Sequence, residues 1–428
     1  MSFSLLFKNN MMVVIILSVV LILGNTLSVY PISNHSENNK HLTMLPHHEF
    51  NLQNQNLSDN ISSQSYAEQI FLSCQNSDNE HCPMMGLDEI NKIGSQTVVL
   101  ETFLNLVRLY DENNYLCHHE GHHLGIWLYE YTQNLTRALK SATVLCGGAV
   151  YHGIFQSFFG EEKFINIKDK NNITITNLCP VGQVDVSWLH ERDCIHGIGH
   201  GLVKLYNYDT KTAAERCDEF IPLWAKSACS RGVFMENYEY HFDTGKGDID
   251  LNDIYFPCNK SVDKFAPQCY YYFPEYEWER KNVTISYNLA DAYGECDGIS
   301  PSKFAKYCYQ GIGRLLSFLA STNPDVPVAA CNIANESSHR EDCMVGTLKT
   351  ILKGDGKTDV GFNFCGSSNP EFKATCYYIM GIWIKMYLYT DKQDWENECN
   401  KAVDKDYVDN CIRANPDTSV GVRMFEPV

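Results

Sequence analysis

The sequence predicts an all-α fold: an α-solenoid or toroid of disulfide-linked helical hairpins, preceded by an N-terminal hydrophobic segment. Three observations carry this reading. The chain of 428 residues holds 18 Cys, none of them before Cys74 and no two spaced as C-x-x-C. Those cysteines fall in consecutive pairs that recur at a near-constant step. Strand-period alternation of apolar and polar residues is scarce.

The chain opens with Lys8 before an apolar run, Met11 to Leu23, broken by Gly24 and Asn25. That run has the length of a signal-peptide core and is short for a spanning helix. Residues 1–30 are therefore read as a signal peptide or a retained membrane anchor, with no clear cleavage site to choose between them. Residues 31–64 are rich in Asn, Ser and His without periodicity, which is the composition of a disordered stalk. Residues 65–428 form the helical-repeat domain. Asn34, Asn56, Asn60, Asn134, Asn172, Asn259, Asn282 and Asn335 stand in N-x-S/T sequons. In an exported chain these are glycosylation acceptors.

An even, high cysteine count without zinc-ribbon spacing points to disulfides and an oxidising compartment. The expected location is extracytoplasmic, secreted or anchored to the outer face of the cell membrane. The net charge of −18 argues against nucleic acid and against docking on anionic lipid.

The cysteines also measure a repeat. First members of the pairs stand at 179, 217, 258, 296, 331, 365 and 399, so the steps run from 34 to 41 residues. This is the period of helix-hairpin solenoids. A helical stretch ends at each first Cys, as in Asp209 to Cys217, where Asp209 is placed to cap the first turn. A second helix opens at each second Cys, as in Cys308-Tyr-Gln-Gly-Ile-Gly-Arg-Leu-Leu.

Two pairing schemes are feasible. The end of one helix and the start of the next lie at the same end of a hairpin, which allows a bond inside each pair. Bonds between successive repeats would strand Cys74 and Cys411 at opposite ends. The sequential scheme uses all 18 and is preferred. Each such staple contributes about 3 kcal/mol by the chain-entropy argument.

The stretch Cys194-Ile-His-Gly-Ile-Gly-His-Gly-Leu-Val-Lys-Leu-Tyr-Asn-Tyr-Asp-Thr-Lys-Thr-Ala-Ala resembles a Sel1-like repeat, a relative of tetratricopeptide repeats. The likeness covers residues 117–411 loosely, and the cysteine spacing here is longer than in the secreted members. It implies a right-handed α-solenoid whose hairpins carry one disulfide each, and a protein-binding role. It brings no catalytic residues with it.

Counting from each helix-opening Cys aligns the second helices. Position +3 holds Ala149, Gly197, Gly232, Gly311 and Gly346, a notch for close packing. Positions +2 and +6 lie on one face. They hold His119 and His123 after Cys117, His152 at +6 after Cys146, and His196 and His200 after Cys194. The column then gives way to Arg231 and Met235, and at +6 to Glu275, Arg314, Lys349 and Ile382. Two imidazoles at i and i+4 can hold one transition metal. The expected metal residues are His119, His123, His152, His196 and His200, with Glu236 adding a carboxylate. Zinc is the first expectation, with copper or iron as alternatives. The plainer alternative is a polar seam in which these side chains only bond to neighbouring backbone.

His119-Glu120-Gly121-His122-His123 spells H-E-x-x-H and is locally similar to zincin metallopeptidases. The similarity implies a catalytic base at Glu120. Against a peptidase, zincin sites lie beside a sheet, and no sheet is evident in this sequence.

The run Tyr270 to Trp278 is expected to be core, Asp248 to Asp253 an acidic loop, and Tyr377 to Tyr389 a buried helix. Two functions follow. One is an exported or anchored metal-binding repeat protein, for which metal-dependent hydrolysis is left open as an activity. The other is a non-catalytic scaffold whose concave face recognises an extracellular protein or glycan.

Overall fold

A computed structural model of the chain describes residues 62–75, 81–113, 117–165, 173–179, 188–282, 289–353, 358–388 and 391–415, and the single residues 77, 79 and 170. The N-terminal apolar run and residues 31–61 lie outside these. Helices are the regular secondary structure of the described residues, which contain no strand. Among them, no helix is long and apolar enough to cross a membrane.

The chain divides after Leu109 into two compact units. In the first, α1 (Ser63–Cys74) and α2 (Cys82–Ile93) form a hairpin closed by Cys74–Cys82. Ser62 caps α1 by accepting from Ser65 N. Gly86 lets α2 approach Ile70 so closely that a Cβ would stand 2.7 Å from it. Helix α3 (Gln96–Asn113) leads into the second unit.

The second unit is a row of hairpins. It begins with α4 (Cys117–Thr132), α5 (Leu135–Ser141), α6 (Ala149–Phe159), the short α7 (Glu162–Ile165) and α8 (Trp188–Leu205). It continues through α9 (Thr210–Arg216), α10 (Leu223–Thr244), α11 (Ala266–Asn282), α12 (Leu289–Asp297) and α13 (Ala305–Leu316). It ends with α14 (Asp325–Cys331), α15 (Ser337–Lys353), α16 (Thr358–Ser367), α17 (Pro370–Trp383), α18 (Lys392–Cys399) and α19 (Val408–Arg413). The inner helices are α4, α6, α8, α10, α11, α13, α15, α17 and the short α19, and each packs on the next. Short outer elements such as α9, α12, α14, α16 and α18 cover them. Asp209 and Asn134 cap α9 and α5 through their side-chain oxygens.

All nine disulfides follow the sequential pairing. From Cys179 onward each bond ties an outer element to the inner helix that follows it. Cys117–Cys146 differs, because it joins the beginnings of two successive inner segments. The aromatic run of α11 is core, with Tyr270, Phe273 and Tyr276 almost fully buried. So is α17 around Tyr377 and Trp383.

The row curls within this unit. Trp188, at the start of α8, stacks on Tyr387 beyond α17 with ring centroids 4.1 Å apart. Tyr271 of α11 reaches past α13 to Thr350 of α15, with oxygens 3.2 Å apart. Positions +2 and +6 of α8, α11, α13 and α15 therefore lie toward the concave side of this curl.

One expectation about the helices is corrected. The later inner helices do not open at their cysteines. They begin three or six residues earlier, so Cys194 and Cys229 lie inside α8 and α10. Among the inner helices described, only α4 opens at its cysteine, and α6 begins after Cys146. The residues Cys146, Gly147 and Gly148 all adopt left-handed backbone, which delays the start of α6 to Ala149.

Candidate metal centre

Glycines set how the inner helices meet, and this fixes which histidines face one another. A Cβ at Gly232 would lie 2.0 Å from the His196 carbonyl oxygen, and a Cβ at Gly153 would lie 1.9 Å from that of His122. Gly199 meets Gly232 as Gly125 meets Gly153. By this packing His122 holds the place in α4 that His196 holds in α8. Glu120 then corresponds to Cys194, three residues beyond Cys117.

The structure accordingly groups His118 and His122 with His152, His196 and His200. Potential ligand atoms of His118, His122 and His152 lie within 4.8 Å of one another, as do those of His152, His196 and His200. A third group of the same span contains His122, His200, Glu236 and Glu239. His119 and His123 come together with each other, Nε2 to Nε2 at 3.3 Å, but join none of these groups among the described residues. Glu120 sits near Tyr110, whose hydroxyl burial and the Glu120 charge push upward.

Hydrogen bonds assign the protons. The Nδ1 atoms of His118 and His196 face the Cys146 and Ala228 carbonyl oxygens at 2.9 and 3.0 Å. A carbonyl only accepts, so each Nδ1 carries its proton and each Nε2 keeps a lone pair. His200 donates Nδ1–H to Glu236 Oε2 at 2.9 Å, so in the neutral ring the lone pair is on Nε2. His122 donates Nδ1–H to Gln156 Oε1, and Gln156 in turn donates to Glu236. His122 Nε2 can then only accept, so His152 Nδ1, 3.1 Å away, is the donor. The remaining His152 Nε2 is buried without a hydrogen-bond partner.

In the neutral rings four Nε2 atoms besides that of His122 carry no proton, on His118, His152, His196 and His200, and the last three residues form one of the groups above. The Nε2 atoms of His196 and His200 stand 3.3 Å apart. With both rings neutral their lone pairs face each other, and a cation between them would remove the repulsion. About 3.3 Å is also the separation expected for two nitrogens held tetrahedrally at about 2.0–2.1 Å from zinc. His118 Nε2, likewise buried without a partner, faces Glu239 Oε1 at 4.0 Å. The donor set thus fits a divalent transition metal.

The electrostatics agree. Burial holds His118 down to about 4, against the favourable bond to Cys146. Burial first, and then the neighbouring imidazoles, hold His122, His152 and His196 well below the ordinary histidine value. The neutral ring is the ligating form. Outward bonds to carbonyl, amide and carboxylate are the partners that orient metal-binding imidazoles.

Counting from Cys117 left out His118, His122 and Glu239. The signal that finds the first two is the glycine spacing: His122 precedes Gly125 by three residues, as His196 precedes Gly199. Glu239 carries no sequence signal of its own; it is placed by the curl of α10 past α4.

No family model matches the chain, and neither a curated protein nor a solved structure does.

Proposed function

We propose that this protein is an extracytoplasmic metalloprotein whose repeat domain holds a divalent metal, zinc by preference, on His152, His196 and His200. The observation that carries the reading is the 3.3 Å approach of the Nε2 atoms of His196 and His200, beside buried His152. Copper and iron also suit imidazole, but zinc asks least of the geometry. Glu236 acts through His200 and Gln156, fixing two rings by one carboxylate.

A three-histidine set leaves a fourth position open, which is the arrangement of catalytic rather than structural zinc. Bound there, the metal would supply Lewis acidity and activate water near neutral pH. Glu239 is the residue placed to move a proton. Its oxygens lie within 4.0 Å of His118, His122 and His200, and its side chain is partly open to solvent. We therefore assign the base to Glu239 rather than Glu120, and read the protein as a metal-dependent hydrolase.

The test is calorimetric titration of chelator-stripped protein with Zn²⁺. His196→Ala should abolish tight binding, while His123→Ala should leave it within about twofold. Equal affinity in wild type and His196→Ala would overturn the assignment.

A further inference from the structure

The concave side continues past the histidines into a cationic cluster. Position +2 runs from His196 to Arg231, Tyr271 and Gln310, and position +6 from His200 through Met235 to Glu275, Arg314 and Lys349. The Arg231 guanidinium lies over the Tyr271 ring at 4.6 Å. Arg314 lies 4.6 Å from the Tyr272 ring and 5.6 Å from that of Tyr271, and pairs with Glu275. Arg192 adds to the same field: burial pushes the Tyr272 hydroxyl up to about 12 against the pull of Arg314, Arg231 and Arg192.

Lys349 is the telling member. It is 2% exposed, and its ammonium donates to Gln310 Oε1 at 3.1 Å. Gln310 is held in turn by Asp342. Among the described residues no carboxylate reaches ion-pair distance of the Lys349 Nζ. Burial, reinforced by the Arg231 charge, holds the ammonium down to about 7. Asp342 is itself pushed up to about 6 by burial. Two guanidinium groups, Arg231 and Arg314, and the Lys349 amino group thus share a poorly hydrated space with the carboxylates of Glu275 and Asp342.

Burying an ammonium beside guanidinium groups is costly unless it gives up its proton or an anion meets it. An ammonium has three donors, and Gln310 takes one. A guanidinium plane offers the paired N–H groups that match the oxygens of a carboxylate or phosphate. Solvent reaches the cluster at Glu275 and Arg314, whose side chains are 32% and 15% exposed.

We propose that Arg231, Arg314 and Lys349 form a binding site for a small oxyanion group, phosphate or carboxylate, on the concave side beside the histidines. The anion site stands on its own residues. Only its use in holding a substrate next to a metal rests on the function proposed above.

The experiment is calorimetric titration of inorganic phosphate, and separately acetate, into the folded protein. Each is done with zinc-loaded and chelator-stripped samples, for wild type and Lys349→Met. Wild type should bind one of the two saturably in both samples, and the tighter one identifies the group. Lys349→Met should weaken that binding at least tenfold while zinc stoichiometry stays unchanged. Equal binding by Lys349→Met and wild type, or no binding by wild type, overturns the proposal. Phosphate binding that needs zinc and ignores Lys349→Met would also overturn it, while leaving the metal centre intact. If Lys349→Met does not fold, Arg231→Gln is read in the same way.

Discussion

Glu236 and His200 meet at 2.9 Å, the carboxylate oxygen Oε2 accepting the Nδ1 proton of the imidazole. The same oxygen accepts from Gln156, which fixes His122. One buried carboxylate thus sets the tautomers of two rings on different helices. Glu236→Gln keeps the shape but weakens both bonds. Metal affinity should fall about 10- to 100-fold, the usual cost of losing such a partner. Competition with a chromophoric chelator measures it, and an unchanged affinity would remove Glu236 from the centre.

The buried histidines predict how the metal-free protein responds to acid. His118, His122, His152 and His196 have folded-state values depressed by burial. The unfolded chain, with histidines near about 6.5, therefore binds more protons as pH falls. Their contribution to stability is present above about pH 6.5 and is lost below it, the His118 share disappearing as pH approaches about 4. The melting temperature of stripped protein should drop between pH 7 and pH 5. His152→Phe, which removes one of the four, should flatten that drop; an unchanged slope would contradict the burial argument.

Glycine contacts predict a contrast. An added Cβ at Gly153 would meet the His122 carbonyl oxygen at 1.9 Å, whereas one at exposed Gly294 meets nothing within 4 Å. Gly153→Ala should cost about 1–3 kcal/mol by overpacking. It should also reduce metal affinity, because α4 and α6 carry the facing rings. Gly294→Ala should be neutral or stabilising by up to about 1 kcal/mol, since alanine favours the helix. Chemical denaturation of the two variants decides.

The staples can be tested singly. Cys217–Cys229 closes a loop 12 residues apart in sequence and is fully buried. Replacing both cysteines by Ala should lower stability by about 3 kcal/mol while leaving zinc stoichiometry at its wild-type value. Loss of the metal in that variant would show that the staple also shapes the centre.

The hairpin period and the disulfide pairing were legible because cysteines recur at fixed places in each repeat. The histidine face was legible only in part. His152, His196 and His200 could be read from the sequence, since Cys194 lies inside α8 in the common register. His119 and His123 took the place of His118 and His122 because Cys117 opens its helix instead of lying within it. The left-handed turn at Cys146 to Gly148 shifts α6 in a similar way. A cysteine ruler measures chain length, but the face a helix presents is set where its backbone touches the next one, at Gly125, Gly153, Gly199 and Gly232. The roles of Glu239 and Lys349 come from the curl of the row, which no local pattern encodes.

The most direct measurement is elemental analysis of untagged protein purified without metal-affinity resin, paired with its His196→Ala variant. The account predicts about one equivalent of a divalent transition metal per wild-type chain, its loss in the variant, and a melting temperature of stripped wild type that rises when Zn²⁺ is returned. Wild-type protein that carries no metal and melts at the same temperature with and without Zn²⁺ would contradict it.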